Sequence, residues 1–542
     1  MLRKRERINI ILNYIKYDTL QKNLIKPQIL LKTKIVLSFM IFLYFCLIFK
    51  IVDLCINPKL TPEMIVYKSQ TRGRIFDKNG HILAVNLPTK SIYIKPEEII
   101  DTDKTLKKIC EILFSDDAIE KNLLKIKKNV ASGRKFVWIQ RHLTPSVSAK
   151  LKFLGLPGVY LINDTKRFYP HENNCSHVVG FVDIDQHGIS GIEKRFDDKL
   201  CDGEDIYLSM DIRIQSAVRN TLNRSITNHQ ALGGMVVIMD ANSGEVVSLV
   251  SLPDFNPNAP KSNSEAMFNR ASLGLYEMGS TFKILTLAIG LDTGVVKLSD
   301  SFNVSQPLKL GKYLINDYRF HKTNLTLPEV LIFSSNKGVG QIGIKIGVEK
   351  QQEYLRNLGM LSPIDIEISE KSKPIHVNKK QWNDVYLVTI SYGYGIAVTA
   401  LHTVQAIAAV TNGGILYKPT ILKQTKQPEG VRVFKESTSQ VMRKIMRRVV
   451  EEGYAKKAKV PGYDIGGKTG TAEKIKNGIY VKKNCNLVSF LGALPIDNPK
   501  YIIYVAVDEP KPNKLNVGFT TGGWVAAPLA AEILRSAGSF LN

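Results

Sequence analysis

Three short clusters of hydroxyl, amide and ammonium groups follow one another along the second half of this 542-residue chain. The first is Ser280-Thr281-Phe282-Lys283, embedded in GSTFKILTLAIGLDTG at 279–294. A small polar turn there precedes an apolar helical run. Positions i and i+3 of a helix share a face, so Lys283 can reach Ser280. The free N–H groups of a helix start favour negative charge developing beside the serine. A serine hydroxyl attacks poorly without a base, and a lysine is a base only when its pKa falls. Burial and a second cation both lower it. The second cluster, Ser334-Ser335-Asn336, offers hydroxyls and an amide on a loop before the helix-like run GVGQIGIKIGV at 338–348. The third, Lys468-Thr469-Gly470-Thr471, follows Gly466-Gly467 and occurs once. Its glycines let a ligand approach the strand backbone, and its lysine and hydroxyls suit a carboxylate.

Each cluster alone is generic. Ser132 and Lys135, Ser334 and Lys337, and Ser301-Phe302-Asn303 repeat the spacings elsewhere. A helix cap, a turn and a strand end would account for the three taken singly. Their order, in one domain, is the specific signal.

Elements must bring these clusters together. Asp211 opens a predicted helix across DIRIQSAVRNTLNRSI, with apolar Ile212, Ile214, Ala217 and Leu222. MVVIMD (235–240) and EVVSLVS (245–251) flank Asn242-Ser243-Gly244 and predict a hairpin. SFLGALP (489–495) and KYIIYVAVDEP (500–510) flank a turn, and WVAAPLAAEILRSAGSFL (524–541) predicts a closing helix. Hairpin, helical middle, strands and closing helix imply an α/β (α+β) domain: a central antiparallel sheet flanked by helices. Upstream, RGRIFDKNGHILAVN contains Asn79-Gly80, a hairpin signal. TDKTLKKICEILF from Thr102 carries helical spacing at Leu106, Ile109, Ile112 and Leu113. No compact catalytic set lies there, which predicts a mixed α+β pedestal.

The net charge of +25 invites a nucleic-acid reading. Its distribution argues against one. Residues 1–34 hold nine Lys/Arg and two acids, and the rest is dispersed without a basic, aromatic-interleaved face. Residues 35–49, IVLSFMIFLYFCLIF, are uncharged between Lys34 and Lys50. With Ile51 and Val52 they approach the ~20 residues a spanning helix needs. KIVDLCINPKL, which follows, has no A-x-A cleavage pattern. The expected organisation is a basic cytoplasmic tail (1–34), an uncleaved anchor (35–52), a pedestal (53–208) and a catalytic domain (209–542). The basic side stays inside, so the remainder faces outward. Cys46, Cys55, Cys110, Cys175, Cys201 and Cys485 are scattered, and the nine histidines show no metal-ligand spacing. Neither metal nor cofactor is expected.

The three clusters resemble S-x-x-K, S-D-N and K-T-G, which together are the signature of penicillin-binding proteins and class A β-lactamases. The resemblance extends further. YEMGSTFK (276–283) resembles the family's Y-E-P-G-S-T-F-K, with Met278 in place of proline. SSNKGVGQIG (334–343) resembles its S-S-N-x-G region, and GYGIAVTALH (393–402) its G-Y-G-x-x-V-T-P-L segment, with Ala400 in place of proline. RGRIFDKNGHILA (72–84) and GFVDIDQHGISGIEKRFDDKL (180–200) resemble pedestal motifs of class B members. The Y-E-x-G-S-T-F-K run and GGKTGTAEK (466–474) are most similar to the division-specific type, penicillin-binding protein 3.

That resemblance implies a monofunctional D,D-transpeptidase, inhibited by β-lactams, at the cytoplasmic membrane. Ser280 would attack between the terminal D-alanines of a peptidoglycan stem, and Lys283 would take its proton. Ser334 would relay the proton to the leaving amine, and Asn336 would hold the substrate backbone. Lys468 would sit near Ser334 and keep Lys283 poised. Thr469, Gly470 and Thr471 would bind the terminal carboxylate, and the N–H groups of Ser280 and Thr471 would form the oxyanion hole. The implied partners are a polytopic glycosyltransferase and other division proteins.

Alternatives remain within the resemblance. Side-wall rather than septal synthesis is one. A β-lactamase would need a deacylating base, and Glu370 lies after the second motif, but EISEKSKP does not resemble E-x-x-L-N. A β-lactam sensor would carry several spans. A scaffold role can coexist with catalysis. A bifunctional synthase would need an N-terminal glycosyltransferase domain, where this chain resembles a class B pedestal.

Overall fold

The computed structural model describes residues 27–56, 72–261, 264–319, 322–476 and 479–541, with isolated positions 9, 13 and 16. Two compact units divide the chain, 1–69 and 70–542.

In the first unit, helix α1 (Pro27–Ile56) contains a 19-residue apolar stretch, Lys34–Val52, with exposed side chains. It is long and apolar enough to cross a bilayer. Its charge-free part runs from Ile35 to Phe49, between Lys34 and Lys50.

In the second unit, strand β1 (Ile75–Phe76) turns at Asn79-Gly80 into β2 (Ile82–Ile94), and the two pair antiparallel. Gly80 takes φ +87°, the left-handed conformation its turn requires. Helix α2 (Thr102–Leu113) starts where Asp101 accepts the Lys104 N–H. It buries Leu106 and Ile109, as the spacing predicts. Helix α3 (Asp116–Ala131), β3 (Val137–Leu143), α4 (Pro145–Phe153) and β4 (Val159–Phe168) complete this region. β2 pairs with both β3 and β4. Ile92, Ile94, Leu106, Ile109, Val137 and Leu151 form a small core of their own.

Charge, not only apolar surface, fixes the base of this region. Glu193 is fully buried, and its two oxygens accept Arg72 Nε and Arg167 Nε, each at 2.7 Å. Arg72 also reaches Asp197 at 2.7 Å. Residues of the 72–84 and 180–200 runs thus meet in one neutralised network. A buried charge is tolerable only when paired and hydrogen-bonded in this way.

Asp211 caps helix α5 (Ile212–Asn228), accepting the Arg213 N–H. β5 (Gly233–Asp240) and β6 (Val246–Leu252) form the predicted hairpin. Strand β7 (Tyr276–Glu277) precedes a 3-10 turn, Gly279–Phe282, which runs into α6 (Lys283–Asp292). α7 (Leu327–Ile332) and α8 (Asn336–Ile346) bracket the second motif. β8 (Ile396–Val398) pairs with β7 and leads into α9 (Ala400–Thr411), followed by α10 (Glu436–Glu451). β9 (Gly466–Lys476), β10 (Ile479–Leu494), β11 (Tyr501–Asp508) and α11 (Ala526–Ala537) end the chain.

The sheet order is β9-β10-β11-β5-β6, antiparallel throughout. Every residue of β11 and β6 is buried. Such strands must be covered on both faces, unlike a sheet with one wet side. α5 packs with α11 against the sheet, and α9 packs with α10 as a second pair. β9, carrying the third motif, is an edge strand. One side of its backbone is therefore left open to the cleft.

Candidate active site

The turn that carries Ser280 is held by three neighbours. Gly279 N–H donates to the Gly393 carbonyl at 3.0 Å. A Cβ on Gly393 would stand 2.0 Å from Gly279 O, so only glycine fits. On the other side the turn presses against β9. A Cβ on Gly279 would lie 2.9 Å from Thr471 O, and one on Gly470 3.0 Å from Thr281 Cγ2. From behind, Tyr504 OH donates to Met278 Sδ at 3.3 Å. The two departures from proline are thereby placed: Met278 packs under the turn, and Ala400 is the first residue of α9.

Ser280 is half-buried, while its neighbours 278, 279 and 281–290 are buried. It precedes the α-helix, in the 3-10 turn, and Lys283 is the first residue of α6. Lys283 is 1 % exposed. Its Nζ donates to the Ser334 carbonyl at 2.6 Å and to Ser334 Oγ at 3.1 Å. Lys468, also 1 % exposed, projects from β9, and its Nζ donates to the Thr469 carbonyl at 2.9 Å. Among the described residues Ser280 Oγ has no hydrogen-bond partner, and Lys468 does not bond Ser334. Catalytic hydrogen bonds are often long before substrate arrives.

Burial and then the Lys468 charge push the Lys283 pKa well down. Burial alone lowers Lys468, to about 7. Lys283, buried and beside the Lys468 charge, is thereby disposed to give up its proton more readily than a free lysine.

Ser334 adopts φ +56°, a left-handed conformation costly for a residue with a Cβ. The turn points both its carbonyl and its hydroxyl at Lys283. Ser335 caps α8, its Oγ accepting the Gly338 N–H at 2.9 Å. Asn336 is half-buried, with its side-chain amide on the Asn316 carbonyl at 3.2 Å. Thr471 Oγ1 accepts the Gly522 N–H at 3.1 Å, and Gly522 packs onto Gly470. Thr469 is buried. The structure thus joins Lys283 to Ser334, sets Lys468 in the electrostatic field of Lys283, and packs the turn that carries Ser280 against Gly470 and Thr471.

Sequence reasoning missed Asp317 and Glu277. Asp317 Oδ2 accepts the Ser335 hydroxyl at 2.7 Å, and its Oδ1 accepts the Lys337 N–H at 3.0 Å. Glu277 Oε1 accepts the Gly395 N–H at 2.6 Å and the Tyr480 hydroxyl at 2.9 Å, tying β7 to the cleft wall. No spacing rule marks either residue. Glu370 is excluded as a deacylating base in this arrangement. Its carboxylate accepts the Gly191 N–H at 3.1 Å, in the segment that carries Glu193.

The described residues contain no cluster of ligands suited to a metal ion. The lysine and hydroxyl set fits acyl transfer by a serine.

The chain belongs to the penicillin-binding proteins. The family described as the penicillin-binding protein transpeptidase domain matches residues 234–535, and the penicillin-binding protein dimerisation domain matches 67–207. Among its relatives is the probable peptidoglycan D,D-transpeptidase FtsI of Caulobacter vibrioides, 36% identical, covering 87% of this chain and 81% of that protein. Another is the peptidoglycan D,D-transpeptidase FtsI of Escherichia coli, 30% identical, over 88% and 86%. Stage V sporulation protein D of Bacillus subtilis is 31% identical, over 86% and 77%. Penicillin-binding protein 3 of Mycobacterium tuberculosis, solved with aztreonam, shares the fold with a TM-score of 0.69 at 22% identity, over 87% of this chain and 95% of that one.

Proposed function

We propose that this chain is a peptidoglycan D,D-transpeptidase whose acyl-enzyme forms on Ser280. One observation carries the reading: Lys283, buried and facing Lys468, lies one helical turn from a half-buried serine and bonds the second motif's hydroxyl.

The chemistry follows from the geometry. Ser280 Oγ attacks the carbonyl between two terminal D-alanines, and its proton passes to Lys283. The N–H groups of Ser280 and Thr471 receive the developing oxyanion; one such donor is worth about 10²–10³ in rate. Ser334, bonded to Lys283, passes the proton to the departing amine. Asn336 and the open edge of β9 hold the stem backbone, as an added strand would be held. Lys468, Thr469, Gly470 and Thr471 receive the terminal carboxylate. An amine of a neighbouring stem then takes the acyl group, closing the cross-link. A β-lactam enters the same path and remains on the serine.

The apolar stretch Lys34–Val52 anchors the protein in the cytoplasmic membrane. The basic tail lies inside and the catalytic unit outside. The pedestal, 53–208, serves division proteins, among them a polytopic glycosyltransferase, and the catalytic domain, 209–542, serves septal synthesis. Support for these assignments is the resemblance to division-specific members, together with the charge asymmetry about the anchor.

Replacing Ser280 by alanine should abolish covalent labelling by a fluorescent penicillin while a cooperative thermal transition persists. Undiminished labelling of the folded variant rejects Ser280 as nucleophile.

A further inference from the structure

The reaction described above gives Asp317 no part, yet its position is specific. It follows a small hairpin, Leu308–Leu310 paired with Tyr313–Ile315. Its two oxygens accept the Ser335 hydroxyl and the Lys337 N–H, while the preceding Asn316 carbonyl accepts the Asn336 amide. The hairpin therefore fastens all three residues that follow the strained Ser334. An anion at the start of α8 is favoured by the helix dipole.

The charge also acts at a distance. When Lys283 takes the Ser280 proton, a second ammonium appears beside Lys468 in a dry cleft, where repulsion is strong. An anion nearby offsets that cost. The charged groups facing Lys283 are Lys468 from β9 and Asp317 from the hairpin side; Ser334 faces it with neutral oxygens. Lys468 and burial lower the Lys283 pKa, and Asp317 raises it. Asp317 in turn lies in the electrostatic reach of Tyr454, which Arg319 also touches. No ion pair joins Asp317 to Lys283 within 4.0 Å among the described residues. That spacing matters. A direct pair would hold the proton on Lys283 permanently and remove the base.

We propose that Asp317 is a positioning residue that holds the Ser334–Asn336 turn and supplies the counter-charge for the proton Lys283 receives during acylation. The proposal rests on the reading of Ser280 and Lys283 as nucleophile and base. The step balances. The Ser280 O–H bond breaks and its proton goes to Lys283 Nζ. The Oγ–C bond forms, the C–N bond of the substrate amide breaks, and a proton returns through Ser334 to the leaving nitrogen. Asp317 gains and loses nothing; it stabilises the ammonium between the two transfers.

The test is the acylation rate of the full chain in detergent by a penicillin, followed against pH. Asp317→Asn should slow acylation about tenfold near neutrality, the size of effect expected when a general base is weakened. Its acid limb should move to lower pH, because losing the anion lowers the Lys283 pKa further. Asp317→Glu keeps the charge and should leave the limb where wild type has it. Ser335→Ala breaks a hydroxyl contact but spares the charge; it should slow acylation with an unmoved limb. A wild-type limb in Asp317→Asn overturns the proposal, because the residue is then only structural. So does a Ser335→Ala limb displaced like that of Asp317→Asn. If Asp317→Asn fails to fold, the other two variants decide: a limb displaced in either, with the charge intact, also overturns it. Absence of a penicillin adduct on Ser280 in the wild type would instead remove the reading beneath.

Discussion

Two of the buried charge clusters in this molecule are built on opposite principles. Around Glu193, two carboxylates and two guanidinium groups neutralise one another in direct contacts of 2.7 Å. Around Lys283, two ammonium groups share a cleft with no carboxylate in contact among the described residues. The first arrangement sets each buried charge against its opposite. The second leaves charge uncompensated, so the groups shed protons and become reactive. A buried charge network is therefore informative only once its signs are counted. Paired signs describe architecture; like signs describe chemistry.

The contrast can be broken from either end. The largest effect is expected at Lys283. Lys283→Ala should slow acylation by about 10²–10⁴ with little loss of melting temperature, since a general base contributes on that scale. Stopped-flow labelling checks it, and a wild-type rate would place the base elsewhere. In the pedestal the outcome reverses. Glu193→Ala strands two buried guanidinium groups and should cost about 3–5 kcal/mol, while the folded fraction still acylates at the wild-type rate. Denaturant melts and active-site titration together separate the two readouts.

Lys468→Met sharpens the comparison further. A lysine whose folded pKa is about 7 binds fewer protons than the unfolded chain between pH 7 and 10.5, so its burial penalises folding. That penalty shrinks as pH rises through this window and is gone above the unfolded pKa. The methionine variant should thus melt higher than wild type, most of all at or below pH 7, with the gain vanishing above 10.5. It should lose acylation at the same time. A variant less stable than wild type at pH 7 would mean the ammonium is compensated after all. The smallest effects belong to helix caps. Asp101→Ala in the pedestal and Ser335→Ala in the cleft should each cost about 1 kcal/mol. Only the second should change acylation.

The fold was legible where pattern and boundary chemistry agree. Asp211 caps its helix, Asn79-Gly80 turns a hairpin, and the 235–251 and 489–510 runs form strands of the central sheet. Ser280 lies in a 3-10 turn that runs into the helix, a distinction that apolar spacing does not carry. Of the site, the three motifs could be read because each is local. Asp317 and Glu277 could not. Each acts through partners in other segments, Asp317 on Ser335 and Glu277 on Gly395 and Tyr480, and long-range contacts leave no mark in spacing. The left-handed turn at Ser334 was likewise hidden, since its strain is sustained by tertiary contacts rather than by a glycine.

The most direct measurement is the wild-type acylation rate by penicillin across pH, with the adduct mapped by mass spectrometry. A Lys283 pKa held well below the ordinary lysine range predicts an adduct on Ser280 and an acid limb displaced to correspondingly lower pH. A rate that keeps climbing through pH 10, the signature of an unperturbed lysine, would contradict the account, as would an adduct on any other residue.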